Sequence, residues 1–442
     1  MTAAALVEAL QRLPRRFVMP PLPPGADAAA AIGSDASLAW AIEQRRLALQ
    51  QGLPAPAHAA TAFVDALATT IAKAVDAQRG DPAFQATLAR QGSPTVQAYL
   101  QRKGQAAADR RAVMASVNRL AHPARLSGLP PAVQQARRAL HRLAQSQDWQ
   151  GLRAALTGQA DPSAAWHDLA GHPGLQRLGE WQALRARPEV QCFVQLAARA
   201  GPAAGSEAAL QQGHAAGRRG EASEQRAHQA LVQCVERLNH RSRDTEHRVV
   251  RGLKCPAGFT DSGSQAKQEW DLALLRRQRN EPAWCLVALV EVKSAPEAAE
   301  ADWPRLLRGL QRLAQARADE VMRWPSADGA VDLKGNSLRG VLPEGQQLPL
   351  QVFYACAATQ ARPPAWISAR AKAVLLSHPA SLAHGLRLQA GEAADREGLR
   401  QVWQALEDAG PLRGALHQYE VASLVRAAML HPDDVAACAP PG

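Results

Sequence analysis

The stretch from Trp284 to Ser294, WCLVALVEVKS, limits what this chain can fold into more than any other. Five consecutive apolar residues, Leu286 to Val290, read as a strand buried on both faces, and the run then ends in Glu291, Val292 and Lys293. Charges are costly in such a place unless they are paired or metal-bound. Side chains alternate along a strand, so Glu291 and Lys293 point to one face and Val292 to the other. An acid and a base therefore share one site.

A second apolar run, Leu272 to Leu275, follows Glu269, Trp270 and Asp271, and Asp271 lies 20 residues before Glu291. The polar segment Arg276 to Pro282, RRQRNEP, reads as the loop of a hairpin joining two antiparallel strands. Asp271 and Glu291 then sit side by side at one end of a sheet, with a lysine beside them. Two close carboxylates repel unless a cation intervenes, and Mg²⁺ suits one or two carboxylates completed by water and substrate phosphates. Without Asp271, the plain reading of Glu291 and Lys293 is an ion pair at a strand end.

Three blocks, Gly217-Arg-Arg-Gly-Glu221 before a helix, Glu269-Trp-Asp271, and Val290-Glu-Val-Lys293, together resemble the PD-(D/E)xK nuclease superfamily. Within it they look most like the branch of Holliday-junction-resolvase-like and restriction-like endonucleases. The resemblance covers residues 213–358, about a third of the chain. It implies an α/β fold with a restriction-endonuclease-like α-β-β-β-α-β core. It also implies that Asp271, Glu291 and Glu221 bind a catalytic Mg²⁺, with Mn²⁺ as substitute, while Lys293 orients or helps deprotonate the attacking water. The implied reaction is cleavage of a DNA phosphodiester, and the resemblance leaves a homodimer open. Three points depart from the pattern. Glu224 lies one turn from Glu221, and either could be the helix ligand; Glu269 faces the same way as Asp271, as a supporting acid; and the helix expected over Asp302 to Ala318 carries Gln311 and Gln315 without a Q-x-x-x-Y signature.

The formal charge of +11 agrees with a nucleic-acid partner. Residues 1–200 hold 22 Lys/Arg against 13 Asp/Glu, and the remainder 29 against 27, so the surplus belongs to the N-terminal region. That region is rich in Ala, Leu, Gln and Arg and reads as an all-helical basic domain. Asp81-Pro82 and Ser93-Pro94 are helix starts. Arg102, Lys103, Arg110 and Arg111 form a candidate DNA-backbone surface, with a solvated helix face as the alternative. Residues 201–220, rich in Gly and Ala, read as a linker, and 221–442 as the nuclease-like domain. Its expected elements are a helix over 221–238, strands over 246–253, 350–355 and 371–376, a loop over 327–348, and C-terminal helices over 392–409 and 412–430.

Six scattered cysteines form no C-x-x-C pair, and reduced cytoplasmic thiols are expected. His167 and His172 lack metal spacing on a sound helix, and Trp149, Trp166 and Trp181 read as one core anchor per helix rather than as base-stacking platforms. The N-terminus lacks the basic and apolar regions of a signal peptide, and no stretch is apolar enough to span a bilayer, so no membrane partner is expected. Two other functions stand beside the nuclease: a non-catalytic nucleic-acid-binding protein on the same fold, and an unrelated metal-dependent enzyme of aldolase or sugar-phosphate synthase type. The latter would need the eight strand-helix units of a barrel.

Overall fold

The computed structural model describes residues 3–158, 161, 163–202, 205–259, 266–359, 363–393, 395–408 and 410–438. The chain divides into two compact units: Met1–Thr70 with Ala204–Leu375 and Arg396–Gly442, and Ile71–Ala203 with Leu376–Asp395. The protein is mixed α/β, and its sheets lie in the first unit.

The strands are β1 (Thr245–Lys254), β2 (Glu269–Gln278), β3 (Cys285–Lys293), β4 (Val321–Trp324), β5 (Val331–Lys334), β6 (Val352–Cys356) and β7 (Met429–Leu430). Five of them form one sheet in the order β1-β2-β3-β6-β7, and β4 and β5 pair separately. β1, β2 and β3 are antiparallel neighbours, as the hairpin reading expects, but Arg276, Arg277 and Gln278 of the expected loop belong to β2, where they pair with β1; β6 runs parallel to β3 and β7 parallel to β6. A parallel neighbour needs a crossover. The helix Pro296–Leu313 supplies it between β3 and β6.

Both faces of the sheet are covered, which is why β3 is an unbroken buried run from Leu286 to Glu291. On one face the long helix Glu207–Arg241 packs Ala227, Leu231, Val235 and Leu238 against Leu272, Leu274, Val290 and Phe353. On the other, the crossover helix packs Trp303, Leu306 and Leu310 against Leu275, Leu289 and Tyr354. Each fully buried large side chain contributes roughly 1.5–3 kcal/mol relative to exposure. A bulge interrupts the β2–β3 ladder: Leu274 opposes Ala288 but Leu275 opposes Leu286. The extra residue, Val287, resets the alternation, so Leu286 and Leu289 share the crossover-helix face. Glu291 and Lys293, two and four residues beyond Leu289, follow onto that face.

Several local expectations are corrected. Most of the expected linker, residues 201–220, is helix, because the long helix starts at Glu207 under a Ser206 cap rather than at Glu221. Its Ala, Gln, Glu and Arg outweigh the three glycines. The strand expected over 371–376 lies within the helix Ala369–Ser377, since Ser368 caps Ala371 and the Ala-Lys-Ala-Val-Leu-Leu run favours helix. The C-terminal helix expected over 412–430 is helical to Ala427 and then yields to β7, while the helix expected over 392–409 is shorter, an α-helix at Arg400–Gln404 flanked by 3-10 turns from Glu397 to Glu407. The expected loop over 327–348 contains β5 and the helix Gly335–Arg339. The segment Met1–Thr70 groups with the sheet, where Leu6 and Leu10 join the core beside the long helix. Among the described residues the main sheet is a five-stranded one, not the eight-stranded barrel that an aldolase or synthase of that type would need.

The second unit is helical in its described elements. Asp81 and Ser93 cap the helices Pro82–Gly92 and Pro94–Ala121, as their Asp-Pro and Ser-Pro pairs anticipate. Trp149 and Trp166 are buried in its core, and Trp181 is stacked on Tyr99 at 6.4 Å. His172 serves as a helix cap through Nδ1. By sequence this unit holds 18 Lys/Arg against 10 Asp/Glu, and so most of the chain's surplus positive charge.

Candidate functional site

The last ladder pair of β2 and β3 is Leu272 opposite Val290. One residue further, Asp271 comes opposite Glu291, and there a side chain replaces the backbone ladder: Asp271 Oδ2 accepts the Val292 N–H at 2.7 Å. This bond fixes Asp271 to the end of β3. The structure thus brings together the acid of β2 and the acid and lysine of β3.

Glu291 is completely buried, and its carboxylate does not stand alone. Lys267, from the connection between β1 and β2, bonds its Oε2. Lys293 Nζ lies 3.5 Å from the same oxygen and 3.1 Å from Asp302 Oδ2, which the crossover helix contributes. Two lysines and two carboxylates form a charge-balanced group under the helix. Neither Lys267 nor Asp302 is legible as a site residue. Lys267 lies in a polar stretch without periodicity, and Asp302 resembles any acid near a helix start.

Three buried polar atoms of this group have no hydrogen-bond partner among the described residues: Asp302 Oδ2, which the lysines approach as an ion pair, Glu291 Oε1, and the hydroxyl of Tyr354, the residue beside Glu291 on β6. Burial, and then the charge of Asp271, push the Glu291 carboxyl up to about 8 against the pull of Lys267 and Lys293. Burial alone would lower the Lys293 ammonium, but Glu291, Asp302 and Asp271 outweigh it and raise the group. Burial is the larger cause for Glu291 and the neighbouring acids for Lys293, and Asp271 adds to both as an excess of negative charge beside the pair.

The long helix adds to that excess. Glu224 is half-buried, and burial followed by the charges of Asp271, Glu269 and Glu221 raises its carboxyl while Arg251 opposes them. Glu221 is exposed. Electrostatic coupling to Asp271 thus singles out Glu224 of the two helix acids. Glu269 is exposed, with Lys254 at 3.6 Å from its carboxylate.

No group of three or more His, Cys, Asp or Glu poised to hold a metal ion occurs among the described residues. A Mg²⁺ site needs less, because one or two carboxylates suffice when water and phosphate complete the shell. Asp271 and Glu291 fit that requirement: their donors are hard oxygens, one Glu291 oxygen is buried without a partner, and burial and then the charge of Asp271 hold the carboxyl up. Lys267, with Lys293 farther off at 3.5 Å, competes for the position.

The candidate DNA-backbone residues lie on the helix Pro94–Ala121 of the second unit. Lys103 and Arg111 are exposed, Arg102 pairs with Glu180 at 2.8 Å, and Arg110 is half-buried with an unpartnered Nε. Lys103 and Arg111 are therefore the two available to a phosphate backbone. No helix among the described residues is long and apolar enough to cross a membrane. Comparison with protein-family models, with curated proteins and with solved structures finds no match.

Proposed function

We propose that this chain is a Mg²⁺-dependent nuclease of the PD-(D/E)xK kind that hydrolyses DNA phosphodiesters. The observation that carries the reading is Asp271 opposite Glu291 and Lys293 where β2 leaves β3. Its support is broader than the triad. A helix, three antiparallel strands, a crossover helix and, after the separate β4–β5 pair, a strand parallel to the third are compatible with the order that the sequence resemblance implies. The basic second unit supplies charge for a polyanion.

Asp271 and Glu291 would hold the cation, with Glu224 as the nearest further acid and Mn²⁺ as the substitute ion. When bound, the cation supplies neutralising charge at the phosphoryl oxygens and a lowered pKa for coordinated water. The rest falls to the chain's own residues. Val292 N–H fixes the Asp271 carboxylate, so the oxygen left over has a defined direction. Asp302, at 3.1 Å, holds the Lys293 ammonium beside Glu291, where its remaining N–H groups can hold an attacking water or a phosphate oxygen. The crossover helix excludes bulk water from behind Glu291, which strengthens each of these interactions.

One observation favours a second reading. Lys267 already neutralises Glu291, as a nuclease-like fold that binds nucleic acid without cutting it would need. Incubating the purified protein with supercoiled, linear, single-stranded and branched DNA in Mg²⁺, Mn²⁺ or EDTA separates the two. Cleavage with either cation and none in EDTA supports the nuclease. Salt-sensitive DNA binding with no cleavage on any substrate supports the binding protein.

A further inference from the structure

Lys267 is the most buried cation of the site, 5 % exposed, although it comes from a connection between strands rather than from a strand. The fold makes a slot for it. Gln268 O accepts the Cys255 N–H at 2.8 Å and closes the base of the β1–β2 connection, and Gly309 of the crossover helix lets the backbone of Lys267 approach. A Cβ on Gly309 would lie 2.7 Å from the Lys267 Cβ, closer than such atoms pack. The ammonium is thereby delivered to Glu291 Oε2, with Asp302 Oδ2 at 4.0 Å as a second acceptor.

Lys293 does not make Lys267 redundant. Its Nζ is nearer to Asp302, at 3.1 Å, than to Glu291, at 3.5 Å. A buried carboxylate stripped of its counter-ion is strongly destabilising. A chain that folds before it meets a divalent cation therefore needs a proton or a cation of its own at Glu291, and Lys267 is the cation that the fold places there. A lysine suits this task because its compact charge sits on a flexible four-carbon stem and can move between acceptors, which a planar guanidinium fork does less readily.

We infer that Lys267 is the resident counter-cation of Glu291, holding Oε2 while no divalent cation is bound and turning to Asp302 when one binds. The inference rests on reading Asp271 and Glu291 as the metal site. It makes Lys267 a competitor of the divalent cation and Asp302 the acceptor that relieves the competition. Divalent-cation affinity then depends on Lys267 and Asp302, which never touch the ion, as well as on the carboxylates that do.

The test uses the full chain and Mn²⁺ as probe, with binding read from the electron-paramagnetic-resonance signal of free Mn²⁺ and thermal unfolding followed in EDTA and in Mn²⁺. Asp271→Asn should abolish the wild-type binding. Lys267→Met should bind Mn²⁺ roughly tenfold more tightly or better, since a competing positive charge is removed from a low-dielectric site. It should also unfold at a lower temperature than wild type in EDTA and recover with Mn²⁺. Asp302→Asn should weaken Mn²⁺ binding, and that weakening should vanish in the Lys267→Met background, a coupling that simple loss of negative charge does not produce. If Lys267→Met fails to fold, Asp302→Asn still decides: unchanged or tighter binding overturns the inference. Loss of binding in Asp271→Asn with no tightening in folded Lys267→Met overturns the role of Lys267 and leaves the metal site standing. If wild type binds no Mn²⁺, or Asp271→Asn binds it as well as wild type does, the metal-site reading falls and this inference with it.

Discussion

Replacing Glu291 by Gln tests the electrostatics of the site without any substrate. In the folded chain the Glu291 carboxyl ionises near 8, against an ordinary value of 4.5. The native state therefore holds this proton more tightly than the unfolded state does. Its contribution to stability is fully present below about pH 4.5 and is lost as pH rises through 8. At about 1.4 kcal/mol per pH unit, the whole interval corresponds to roughly 5 kcal/mol. Lys293, raised above 10.5, keeps its contribution throughout this interval and loses it only in alkali, so it does not mask the effect. Native-state hydrogen exchange of the amides of residues 285–293, corrected for intrinsic pH dependence and measured in EDTA between pH 5 and 8, reads the local free energy. Wild type should lose several kcal/mol across the range and Glu291→Gln most of that slope. Parallel profiles for the two proteins would refute the reasoning, because the pH dependence would then arise elsewhere.

Other outcomes follow from single residues. Glu224→Ala should weaken Mn²⁺ affinity or cleavage by roughly 10–100-fold, the range for supporting residues around a metal, while Glu221→Ala, exposed, should leave both within a few-fold of wild type. Mn²⁺ titration of the two variants checks the assignment. Gly335→Ala should cost about 1–3 kcal/mol in urea unfolding, because a Cβ there would lie 1.9 Å from the Arg317 carbonyl oxygen and the backbone must shift.

The parts of the site legible in the sequence are those that strand physics makes conspicuous. Leu286 to Val290 needed cover on both faces, and charge at the end of such a run needed a partner, which pointed back to Asp271. The hairpin between β2 and β3 followed from the polar run after Leu275. The bulge at Val287 was not legible, because a continuous apolar run carries no alternation to interrupt. Lys267 reaches Glu291 from a loop and Asp302 reaches the two lysines from a helix, and no local pattern links residues brought together only by tertiary packing. The G-x-x-G-E match favoured Glu221, and the burial of Glu224 and its coupling to the charge of Asp271 are tertiary facts that no local pattern carries. Helix boundaries were lost where glycines lay among strong helix formers, as in residues 207–220, and where a short apolar run fits helix and strand alike, as in residues 371–376.

The most direct measurement of the central claim is the single-turnover rate of phosphodiester cleavage by wild type and Asp271→Ala, on whichever DNA substrate wild type cuts, with Mg²⁺ and with EDTA. The account expects Mg²⁺-dependent cleavage by wild type and a fall of at least roughly 10²–10⁴-fold in the variant, with the variant's folding and DNA binding retained. Equal rates for the two proteins, or cleavage by wild type undiminished in EDTA, would contradict it.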